Sequence, residues 1–358
     1  MKVLFDYQIF SMQKYGGISR YYIELMQEYK KLGQEFELPM YFSNNMYLSD
    51  IKNIYKYKDC RVLNKLSKVI SKITSKNHLS EGEYDIFHPT YYDPYFISLA
   101  KKPYVITVYD LIHEKFENMD NPKDLTLQWK KESILGASRV LAISENTKKD
   151  IIDFYGIDKH KIDVIYLASS LKKTQTLLII NIPGKYLLFV GNRGKYKNFN
   201  KFIEAVAPLL KEDKELYVVC AGGGMFNDEE VSEFHHLKIN NKVIFIDINN
   251  KILAYLYQNA LLFVFPSLYE GFGIPILEAM NCDCPVALSA TSSLLEIGGA
   301  AAIYFNPESI ESIYIVIKDT IYNKEKLNKL MELGKNRRNK FSWKSTAEKT
   351  LESYRKAL

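Results

Sequence analysis

Short apolar runs alternate with longer amphipathic stretches from one end of the chain to the other. The runs are typical of strands buried on both faces of a parallel sheet, and the stretches have the spacing of helices with one apolar face. Predicted strands lie at residues 2–5, 36–41, 86–88, 105–108, 140–143, 186–190, 216–221, 243–246 and 261–265. Predicted helices lie at residues 18–31, 201–210, 250–259 and 276–280, and a last helix follows residues 341–343. Because strands and helices alternate, the chain is predicted to be an α/β protein.

A chain of 358 residues is longer than one hydrophobic core usually supports, so two domains are expected. A polar stretch with lysine and threonine, residues 167–182, separates the two halves of the pattern. We therefore assign residues 1–170 and 171–340 to two domains and residues 341–358 to a closing helix. No internal repeat of fixed period is visible.

Composition and charge narrow the class of protein. Apolar residues make up 47% of the chain and charged residues 25%, which is ordinary for a globular protein. The net charge of +6 is modest, and without a helix-turn-helix or zinc pattern we expect no nucleic-acid partner. No apolar run approaches the roughly 20 residues that span a bilayer, and the first residues lack the pattern of a signal peptide. The irregularly spaced cysteines are expected to be free thiols in a reducing cytoplasm.

The most informative stretch, residues 266–280, combines two carboxylates with a glycine-flanked phenylalanine. Glu270 precedes the Gly-Phe-Gly of residues 271–273, and Glu278 lies three residues past Pro275. The glycines let the backbone approach a ligand, and the helix start that Pro275 favours offers N–H groups to a phosphate. The carboxylates would repel a phosphate, so they suit hydroxyls of a ribose or a sugar ring. A nucleotide sugar meets both requirements; the alternative is a buried strand–helix junction with two surface acids.

A basic loop follows the predicted strand at residues 186–190. Arg193 and Lys197 lie four residues apart in this loop, beside Gly191 and Gly194. Arginine and lysine next to glycine backbone can bind a diphosphate without a metal, and the alternative is a solvated basic loop. Three glycines at residues 222–224 predict a tight turn after the next strand.

With these motifs the chain resembles the retaining glycosyltransferases of family 4. The pattern E-G-F-G-x-P-x-x-E-A, followed by small residues at 282–286, is similar to the donor-site signature of that family, two glutamates separated by seven residues. The segment FDYQIFSMQKYGGISRYYIELM resembles the opening of members that build bacterial O-antigens and polysaccharides, many of them mannosyltransferases. The resemblance implies the α/β GT-B fold, two Rossmann-like domains facing each other across a cleft. Residues 1–170 would bind the acceptor, residues 171–340 the nucleotide sugar, and residues 341–358 would cross back to the first domain.

The resemblance also implies roles for individual residues. Arg193 and Lys197 would neutralise the departing diphosphate. Glu278 would bind the ribose, and Glu270 a hydroxyl of the transferred sugar. The implied donor site comprises Gly16, Gly17, Arg193, Lys197, Glu270, Gly271, Phe272, Gly273, Ile274 and Glu278.

The region after the predicted strand at residues 105–108 departs from the family pattern. Family members often have a His-Asp pair there, whereas this chain has Tyr109 and Asp110. Either His113 takes the histidine's place, or Tyr109 and Asp110 carry the polar role on the acceptor or sugar side; a lone histidine is also often structural. With the first alternative the catalytic set is Arg193, Lys197, Glu270 and His113. Ser144 is predicted to cap the next helix, and by resemblance it would face the cleft.

The expected function is transfer of a hexose, of the mannose type, from a nucleotide sugar to a growing lipid-linked or polysaccharide glycan with retention of configuration. The resemblance to mannosyltransferases favours a GDP-hexose donor, and a UDP-hexose is the alternative. No Asp-x-Asp pair follows a strand, so no metal is predicted, and no cofactor either. A nucleotide-sugar 2-epimerase and a non-catalytic sugar-nucleotide-binding protein are further alternatives.

Residues 51–76, Ile51 to Lys76, form a strongly basic stretch in which Asp59 is the only acid. Apolar residues between Leu63 and Ile73 recur at helical spacing, which predicts a basic amphipathic helix. Such a helix can rest on anionic lipid at the inner face of the cell membrane, where a lipid-linked acceptor would be anchored. The alternative is a solvated face packed on the first domain.

Overall fold

The structure, a computed structural model, describes residues 1–116, 125–175 and 182–358. Within them the chain divides into two compact units. The first unit comprises Met1–Leu167 together with Ser342–Leu358, and the second unit is Ala168–Phe341.

The elements alternate along both units. The described strands are β1 (Val3–Phe5), β2 (Phe36–Glu37), β3 (Ile86–His88), β4 (Val105–Val108), β5 (Arg139–Ala142), β6 (Ile162–Val164), β7 (Lys185–Val190), β8 (Leu216–Ala221), β9 (Val243–Ile246), β10 (Leu262–Phe265), β11 (Val286–Ser289) and β12 (Ala302–Phe305). The described α-helices are α1 (Gln8–Met12), α2 (Gly17–Leu32), α3 (Arg61–Glu81), α4 (Ile112–Lys115), α5 (Thr126–Gly136), α6 (Glu145–Tyr155), α7 (Phe199–Glu212), α8 (Asp228–His236), α9 (Asn250–Asn259), α10 (Ile274–Asn281), α11 (Ser292–Gly298), α12 (Ile310–Ile321), α13 (Lys324–Arg338) and α14 (Trp343–Ala357).

The first unit contains two parallel sheets, with strand orders β2-β1-β3 and β4-β5-β6. A parallel bridge between Phe87 of β3 and Tyr104, the residue before β4, connects them. From β1 the chain passes to β2 on one side and later to β3 on the other. The strand order therefore reverses next to β1, and α/β sheets tend to bind ligands at the carboxyl ends of strands at such a reversal.

The second unit contains one parallel six-stranded sheet with the order β12-β11-β10-β7-β8-β9. The chain leaves β7 toward β8 and β9, then returns to the other side of β7 with β10, so the order reverses between β7 and β10. Apolar side chains from the sheet and from α7 and α12 fill the core beside it; they include Leu187, Phe189, Phe202, Val206, Leu262 and Ile317. This packing fixes the loops that follow β7 and β10 at one edge of the sheet.

The predicted α/β class with parallel sheets is confirmed, and the differences are local. The strands at 86–88, 105–108, 216–221 and 243–246 and the helix at 250–259 have the predicted bounds. The strand predicted at residues 36–41 is only Phe36–Glu37, because Pro39 follows closely and has no N–H for a sheet hydrogen bond. β6, β11 and β12 are not predicted from the sequence.

A buried histidine connects the last helix to the sheet of the first unit. His88, at the end of β3, is fully buried, and its Nδ1 lies 2.6 Å from the Tyr354 hydroxyl of α14. Its Nε2 lies 2.9 Å from the Thr107 hydroxyl of β4. Burial lowers the pKa of His88 to about 3, so the ring is neutral at pH 7.

The first unit is therefore expected to lose stability in mild acid. Below pH 6.5, the ordinary pKa, His88 binds a proton in the unfolded chain, whereas the folded chain accepts it only near pH 3. The stability that the neutral His88 contributes is complete above pH 6.5. Below this pH the free energy of unfolding falls, by about 3 kcal/mol at pH 4. Urea unfolding of the wild type and of His88→Gln across this pH range measures it. The wild type should show the steeper acid loss, and identical pH slopes would contradict the assignment.

Candidate active site

An ion pair at the strand-order reversal of the second unit joins two of the predicted site residues. Lys197 lies in the loop after β7, and Glu270 lies in the loop after β10. The Lys197 Nζ is 2.6 Å from the Glu270 Oε1, and the two side chains are only 14% and 12% exposed. The parallel sheet thus brings together residues that are 73 positions apart in the sequence.

The surroundings of Lys197 keep it charged. Its Nζ lies 5.1 Å from the centre of the Phe265 ring and 5.0 Å from that of Tyr196, in cation–π geometry. Burial by itself lowers the pKa of Lys197, but the Glu270 carboxylate more than offsets this, so the pKa lies above its ordinary value. The second unit therefore holds a charged lysine beside a carboxylate at the carboxyl ends of its strands, next to the reversal of strand order.

The backbone of Glu270 is held on both sides by two serines that begin α11. The Glu270 N–H donates to the Ser292 Oγ at 3.0 Å, and the Ser293 Oγ donates to the Glu270 carbonyl at 2.8 Å. Ser293 is fully buried, and Ser292 has a left-handed φ of 48°. The sequence prediction did not include these serines. Their position after Thr291 is typical of a helix start, and it gives no indication that they contact the β10 loop.

The loop after β10 leads into α10 through a glycine. Gly273 has a φ of 93°, a conformation that side-chain-bearing residues rarely adopt, and it is the N-cap of α10. Ile274 and Pro275 form the first turn, so the N–H groups at the start of α10 adjoin the Gly271-Phe272-Gly273 segment. Glu278 lies one turn further along α10 and is half-buried. Its Oε2 accepts a hydrogen bond of 3.4 Å from the buried Tyr257 hydroxyl.

Arg193 makes a different set of contacts from Lys197. Its Nε donates to the Glu230 Oε1 of α8 at 2.6 Å, and its side chain is only 4% exposed. The guanidinium also lies 4.9 Å from the Phe226 ring centre. Glu230 in turn forms a capping box with Asn227 at the start of α8. The two predicted phosphate-binding cations therefore pair with different carboxylates, and Arg193 connects the β7 loop to α8.

The glycine turn after β8 completes this arrangement. The Arg193 guanidinium donates to the carbonyls of Gly222, Gly224 and Met225 at distances of 3.3, 3.0 and 2.9 Å. All three glycines of the turn have left-handed φ values, and a Cβ on Gly223 would lie 2.4 Å from the Gly191 carbonyl oxygen. The predicted tight turn is confirmed, and it packs directly on the β7 loop.

The glycine pair in the first unit differs in its two members. A Cβ on Gly16 would lie 2.1 Å from the Gln13 Oε1, so a side chain there would displace the Gln13 amide, whose oxygen accepts a hydrogen bond from the Ser19 N–H. Gly17 begins α2, and a Cβ at this position would have no neighbour within 4 Å. Neither packing nor a left-handed φ explains Gly17, and open space at a helix start is suited to a ligand that approaches closely.

Gly17→Ala is therefore expected to leave the folded state intact while it lowers activity. Alanine is the better helix former by about 1 kcal/mol, so the melting temperature should stay constant or rise. If substrate occupies this space, as the resemblance implies, a methyl group there should lower the transfer rate about tenfold or more. Melting curves and initial rates of wild type and variant test this, and a variant with wild-type activity would show that the space is not used.

Three residues of the first unit were predicted as alternatives for the polar role after β4. Tyr109 is buried among aromatic rings, with Tyr21 and Tyr92 at centroid distances of 6.0 and 6.4 Å. Burial raises the pKa of Tyr109 well above its ordinary value, so its hydroxyl stays neutral. The Asp110 Oδ1 accepts a hydrogen bond from the Ile112 N–H at 3.1 Å and so starts α4, on which the half-buried His113 lies.

A buried ion pair that the sequence prediction missed supports this loop. Lys130 of α5 and Glu114 of α4 lie 2.9 Å apart with side chains that are 2% and 6% exposed. The Lys130 ammonium also donates to the Asp110 carbonyl at 3.1 Å. The pair therefore fixes the segment that carries Asp110 and His113.

Ser144 is the N-cap of α6, as predicted. It is fully buried, and its Oγ accepts a hydrogen bond of 3.0 Å from the Thr147 N–H. This capping role accounts for a serine at the end of β5.

Helix α3 turns a small polar face toward the first unit. Its buried residues are Ser67, Ser71, Ser75 and Leu79. Its exposed apolar residues form a stripe on the other side: Val62, Leu66, Val69 and Ile73, which are 48% to 74% exposed. A basic amphipathic helix is thus present from Arg61 onward, and its apolar stripe is not packed on the unit.

Basic side chains flank this stripe. Lys65, Lys68 and Lys76 are exposed, whereas Lys72 forms an ion pair with Asp93 at 3.0 Å. The helix therefore presents apolar and positively charged groups to the outside. Across the described ranges, no helix is both long and apolar enough to cross a bilayer.

Solved structures of glycosyltransferases share this fold over almost the whole chain. Sucrose-phosphate synthase from Thermosynechococcus elongatus is similar with a TM-score of 0.77 at 18% identity, covering 99% of this chain and 98% of the other. The Anabaena HepE protein, solved in complex with UDP and glucose, gives a TM-score of 0.76 at 19% identity over 98% of each chain. The two Rossmann-like units and these neighbours show that the chain has the GT-B fold, so the predicted fold class is confirmed.

Family models match both units. The model described as Glycosyltransferase Family 4 matches residues 15–168, and the model described as Glycosyl transferases group 1 matches residues 178–339. The chain belongs to glycosyltransferase family 4, as its motifs predicted, and it is an enzyme of the hexosyltransferase type.

Two relatives of this chain are named O-antigen chain mannosyltransferases. O-antigen chain mannosyltransferase B of Escherichia coli is 24% identical over 95% of this chain and 96% of its own length. O-antigen chain mannosyltransferase RfbU of Salmonella typhimurium is 31% identical, over 53% of this chain and 52% of its own length. The match to RfbU thus spans about half of either protein.

Proposed function

We propose that this chain transfers a hexose of the mannose type from a nucleotide sugar to a growing glycan, with retention of configuration and without a metal. The observation that carries the proposal is the Lys197–Glu270 pair at the β7–β10 reversal, where the pair adjoins the start of α10. A cation, helix N–H groups and a carboxylate at one edge of a parallel sheet match the phosphates and hydroxyls of a nucleotide sugar.

Lys197 acts on the leaving group. As the glycosidic bond breaks, negative charge grows on the departing diphosphate, and a positioned ammonium stabilises that charge without reorganisation. The partial positive charge of the N–H groups at the start of α10 also stabilises the negative charge on the diphosphate. A lysine ammonium has three donors, so Lys197 can keep its contact with Glu270 and still bind phosphate oxygens.

The two carboxylates bind hydroxyls. Glu278 projects from α10 and binds the ribose, and its contact with Tyr257 keeps the side chain oriented. Glu270, with its backbone fixed by Ser292 and Ser293, binds a hydroxyl of the transferred sugar. Arg193 contributes by holding the β7 loop against the glycine turn, and it can donate a remaining N–H to the diphosphate.

The relatives favour a GDP-hexose donor. Both the Escherichia coli and the Salmonella typhimurium proteins are mannosyltransferases by name. A UDP-hexose is the second candidate, because the HepE structure of the same fold contains UDP and glucose.

Donor choice is tested by transfer assays with GDP-mannose, UDP-glucose, UDP-galactose and dTDP-glucose, with and without EDTA. Bacterial membrane lipids that carry glycan precursors serve as acceptors, and each donor is also incubated alone. We expect transfer and slow hydrolysis with GDP-mannose, unchanged by EDTA. If transfer occurs only with UDP sugars, the donor is a UDP-hexose and not a GDP-hexose. EDTA inhibition that a divalent metal reverses would overturn the metal-free mechanism. Epimerised donor in the absence of acceptor would identify the enzyme as an epimerase.

We further propose that α3 binds anionic membrane lipid at the inner face of the cell membrane, beside a lipid-linked acceptor. Each exposed lysine near such a surface contributes about 1 kcal/mol, and burial of the apolar stripe in the headgroup region adds to this. The stripe and the lysines lie on the side of the helix that the first unit leaves uncovered.

Charge reversal on α3 is expected to release the protein from anionic vesicles. Lys65→Glu, Lys68→Glu and Lys76→Glu together should abolish sedimentation with phosphatidylglycerol vesicles at low salt, because attraction becomes repulsion. Lys72 is left in place, since its pair with Asp93 stabilises the fold.

The matched control reverses three exposed lysines elsewhere in the first unit, Lys149, Lys159 and Lys349. It has the same net charge as the α3 variant and should still bind vesicles. Equal loss in both triple variants, or no sedimentation of the wild type, would contradict docking through α3.

A further inference from the structure

Helix α13 ends in two consecutive arginines, Arg337 and Arg338, and each binds the carbonyl end of a different helix. The Arg337 Nε donates to the Ile297 carbonyl at 2.9 Å, and its Nη2 donates to the Glu296 carbonyl. Both carbonyls belong to the last turn of α11. The last four carbonyls of a helix have no partner within it, and a cation beside them is favoured by the helix dipole. Arg337 therefore caps α11.

Arg338 makes the equivalent contacts with α10. Its Nη1 donates to the carbonyls of Met280 and Asn281, the last two residues of that helix, at 3.0 Å each. The same nitrogen lies 3.0 Å from the Oδ1 of Asp283, which follows the helix. One turn earlier on α13, Gly334 is buried, and a Cβ on it would lie 3.3 Å from the Met280 Cγ. Arg338 thus caps α10, and α13 packs closely on the same helix.

The two capped helices carry the groups of the proposed donor site. α11 begins with Ser292 and Ser293, which bind the backbone of Glu270 on both sides. On α10, Glu278 lies only two residues before Met280, whose carbonyl Arg338 binds. The helices have seven and eight residues, so they are only about 10 and 12 Å long. Helices this short depend on tertiary contacts, so a shift at the carbonyl end would also displace the donor-site groups.

A second contact connects Arg337 with the loop that contains Glu270. The Arg337 Cζ lies 5.3 Å from the centre of the Phe341 ring, in cation–π geometry. The Phe341 ring in turn packs edge-to-face on Phe272, with centroids 6.0 Å apart and an angle of 86° between the ring planes. Phe272 is buried and lies two residues after Glu270. Arg337 therefore supports the Glu270 loop by two routes, whereas the contacts of Arg338 lie on α10 and the residue Asp283 after it.

We propose that Arg337 and Arg338 are positioning residues of the transfer reaction, each for a different carboxylate. Arg337 fixes Glu270 through α11 and through the aromatic contact, and Arg338 fixes Glu278 by holding the last turn of α10. Neither arginine has to touch the substrate for this role, because each acts through the helix that it caps. The inference rests on the proposed function, in which Glu270 binds the transferred sugar and Glu278 binds the ribose.

Arg337→Met and Arg338→Met are expected to impair different steps. Arg338→Met should lower the affinity for a nucleoside diphosphate about fivefold to 50-fold and change turnover at saturating donor by less than about twofold, because the ribose contact contributes to binding. Arg337→Met should lower turnover about tenfold or more and change that affinity by less than about twofold, since a nucleoside diphosphate lacks the transferred sugar. Calorimetry with GDP and with UDP measures affinity, and the transfer assay with the nucleotide sugars measures turnover.

Lys185→Met is the matched control in the same unit. Lys185, the first residue of β7, pairs with Asp213, and the side chains of this pair are 30% and 17% exposed, as are those of Arg338 and Asp283. The pair lies at the amino ends of the strands, so the control should melt at a lower temperature with unchanged affinity and turnover. If a methionine variant does not fold, Arg337→Lys and Arg338→Lys take its place. They keep the charge but lose the planar fork, so they should show the same division with smaller effects.

The outcomes separate positioning from stability and from the proposed function. Parallel losses of affinity and turnover in both arginine variants, in proportion to the fall in melting temperature, would show a purely structural role and overturn the proposal. Wild-type affinity and turnover in both variants would also overturn it. In either case, binding of GDP or UDP to the wild type leaves the donor site standing. If neither nucleotide binds the wild type, the donor site is wrong, and the two positioning roles are wrong with it.

Discussion

Replacing Lys197 by methionine is expected to lower the turnover number about 100-fold to 1,000-fold. The substitution keeps most of the side-chain volume but removes the charge that stabilises the departing diphosphate. Steady-state rates at saturating donor, with wild type and variant side by side, measure the effect. The loss should be far larger in turnover than in donor affinity, because charge grows on the diphosphate mainly as the bond breaks.

The same variant also leaves the Glu270 carboxylate without its partner, and this effect must be separated from catalysis. Removing one member of a buried ion pair typically costs about 3–5 kcal/mol of folding stability. The double variant Lys197→Met/Glu270→Gln has no unpaired charge and should regain most of that stability, yet remain inactive. A double variant that recovers activity, or a single variant with wild-type turnover, would contradict the role of Lys197.

Replacing Arg193 by methionine is expected to destabilise the second unit strongly. The guanidinium pairs with Glu230 and donates to three carbonyls of the glycine turn, so its removal leaves a carboxylate that is only 10% exposed without a cation. A loss of about 3–5 kcal/mol, or about 10 °C in the melting temperature of this unit, should follow. Calorimetric melting curves of the full chain measure it.

Glu230→Gln provides the comparison for Arg193. Glutamine can still accept the capping hydrogen bond from the Asn227 N–H, which Glu230 accepts at 2.9 Å, but carries no charge. Arg193→Met/Glu230→Gln should therefore melt above Arg193→Met alone. If Arg193→Met melts like the wild type and only donor affinity falls, Arg193 acts on the diphosphate directly rather than through the β7 loop.

The sequence predicted the bounds of four short strands correctly, namely β3, β4, β8 and β9, because each is a mostly apolar run. β3, β4 and most of β8 are buried, whereas β9 is an edge strand and is mostly half-buried. β6 contains an aspartate, and β11 follows a proline and small residues, so neither has a distinct strand pattern. The inward face of α3 could not be predicted, because buried serines have no hydrophobic pattern.

The sequence predicted which loops carry the residues of the proposed donor site, but it did not predict most of the contacts that these residues make. The loops after β7 and β10 could be expected at one edge of a parallel sheet, and the Lys197–Glu270 pair follows from that topology. Ser292, Ser293 and Glu230 were missed because their functions depend on contacts between distant segments. The roles of Glu270 and Glu278 toward a nucleotide sugar remain predictions from motif and position.

Calorimetric titration of GDP-mannose and UDP-glucose into the wild type, Glu278→Ala and the exposed-site control Glu311→Ala tests the donor site most directly. One of the two nucleotide sugars should bind the wild type and the control with one site per chain. Glu278→Ala should bind it about fivefold to 100-fold more weakly, because the ribose hydroxyls lose a half-buried carboxylate partner. Wild-type affinity in Glu278→Ala, or no binding of either nucleotide sugar to the wild type, would contradict the donor site at the β7–β10 edge.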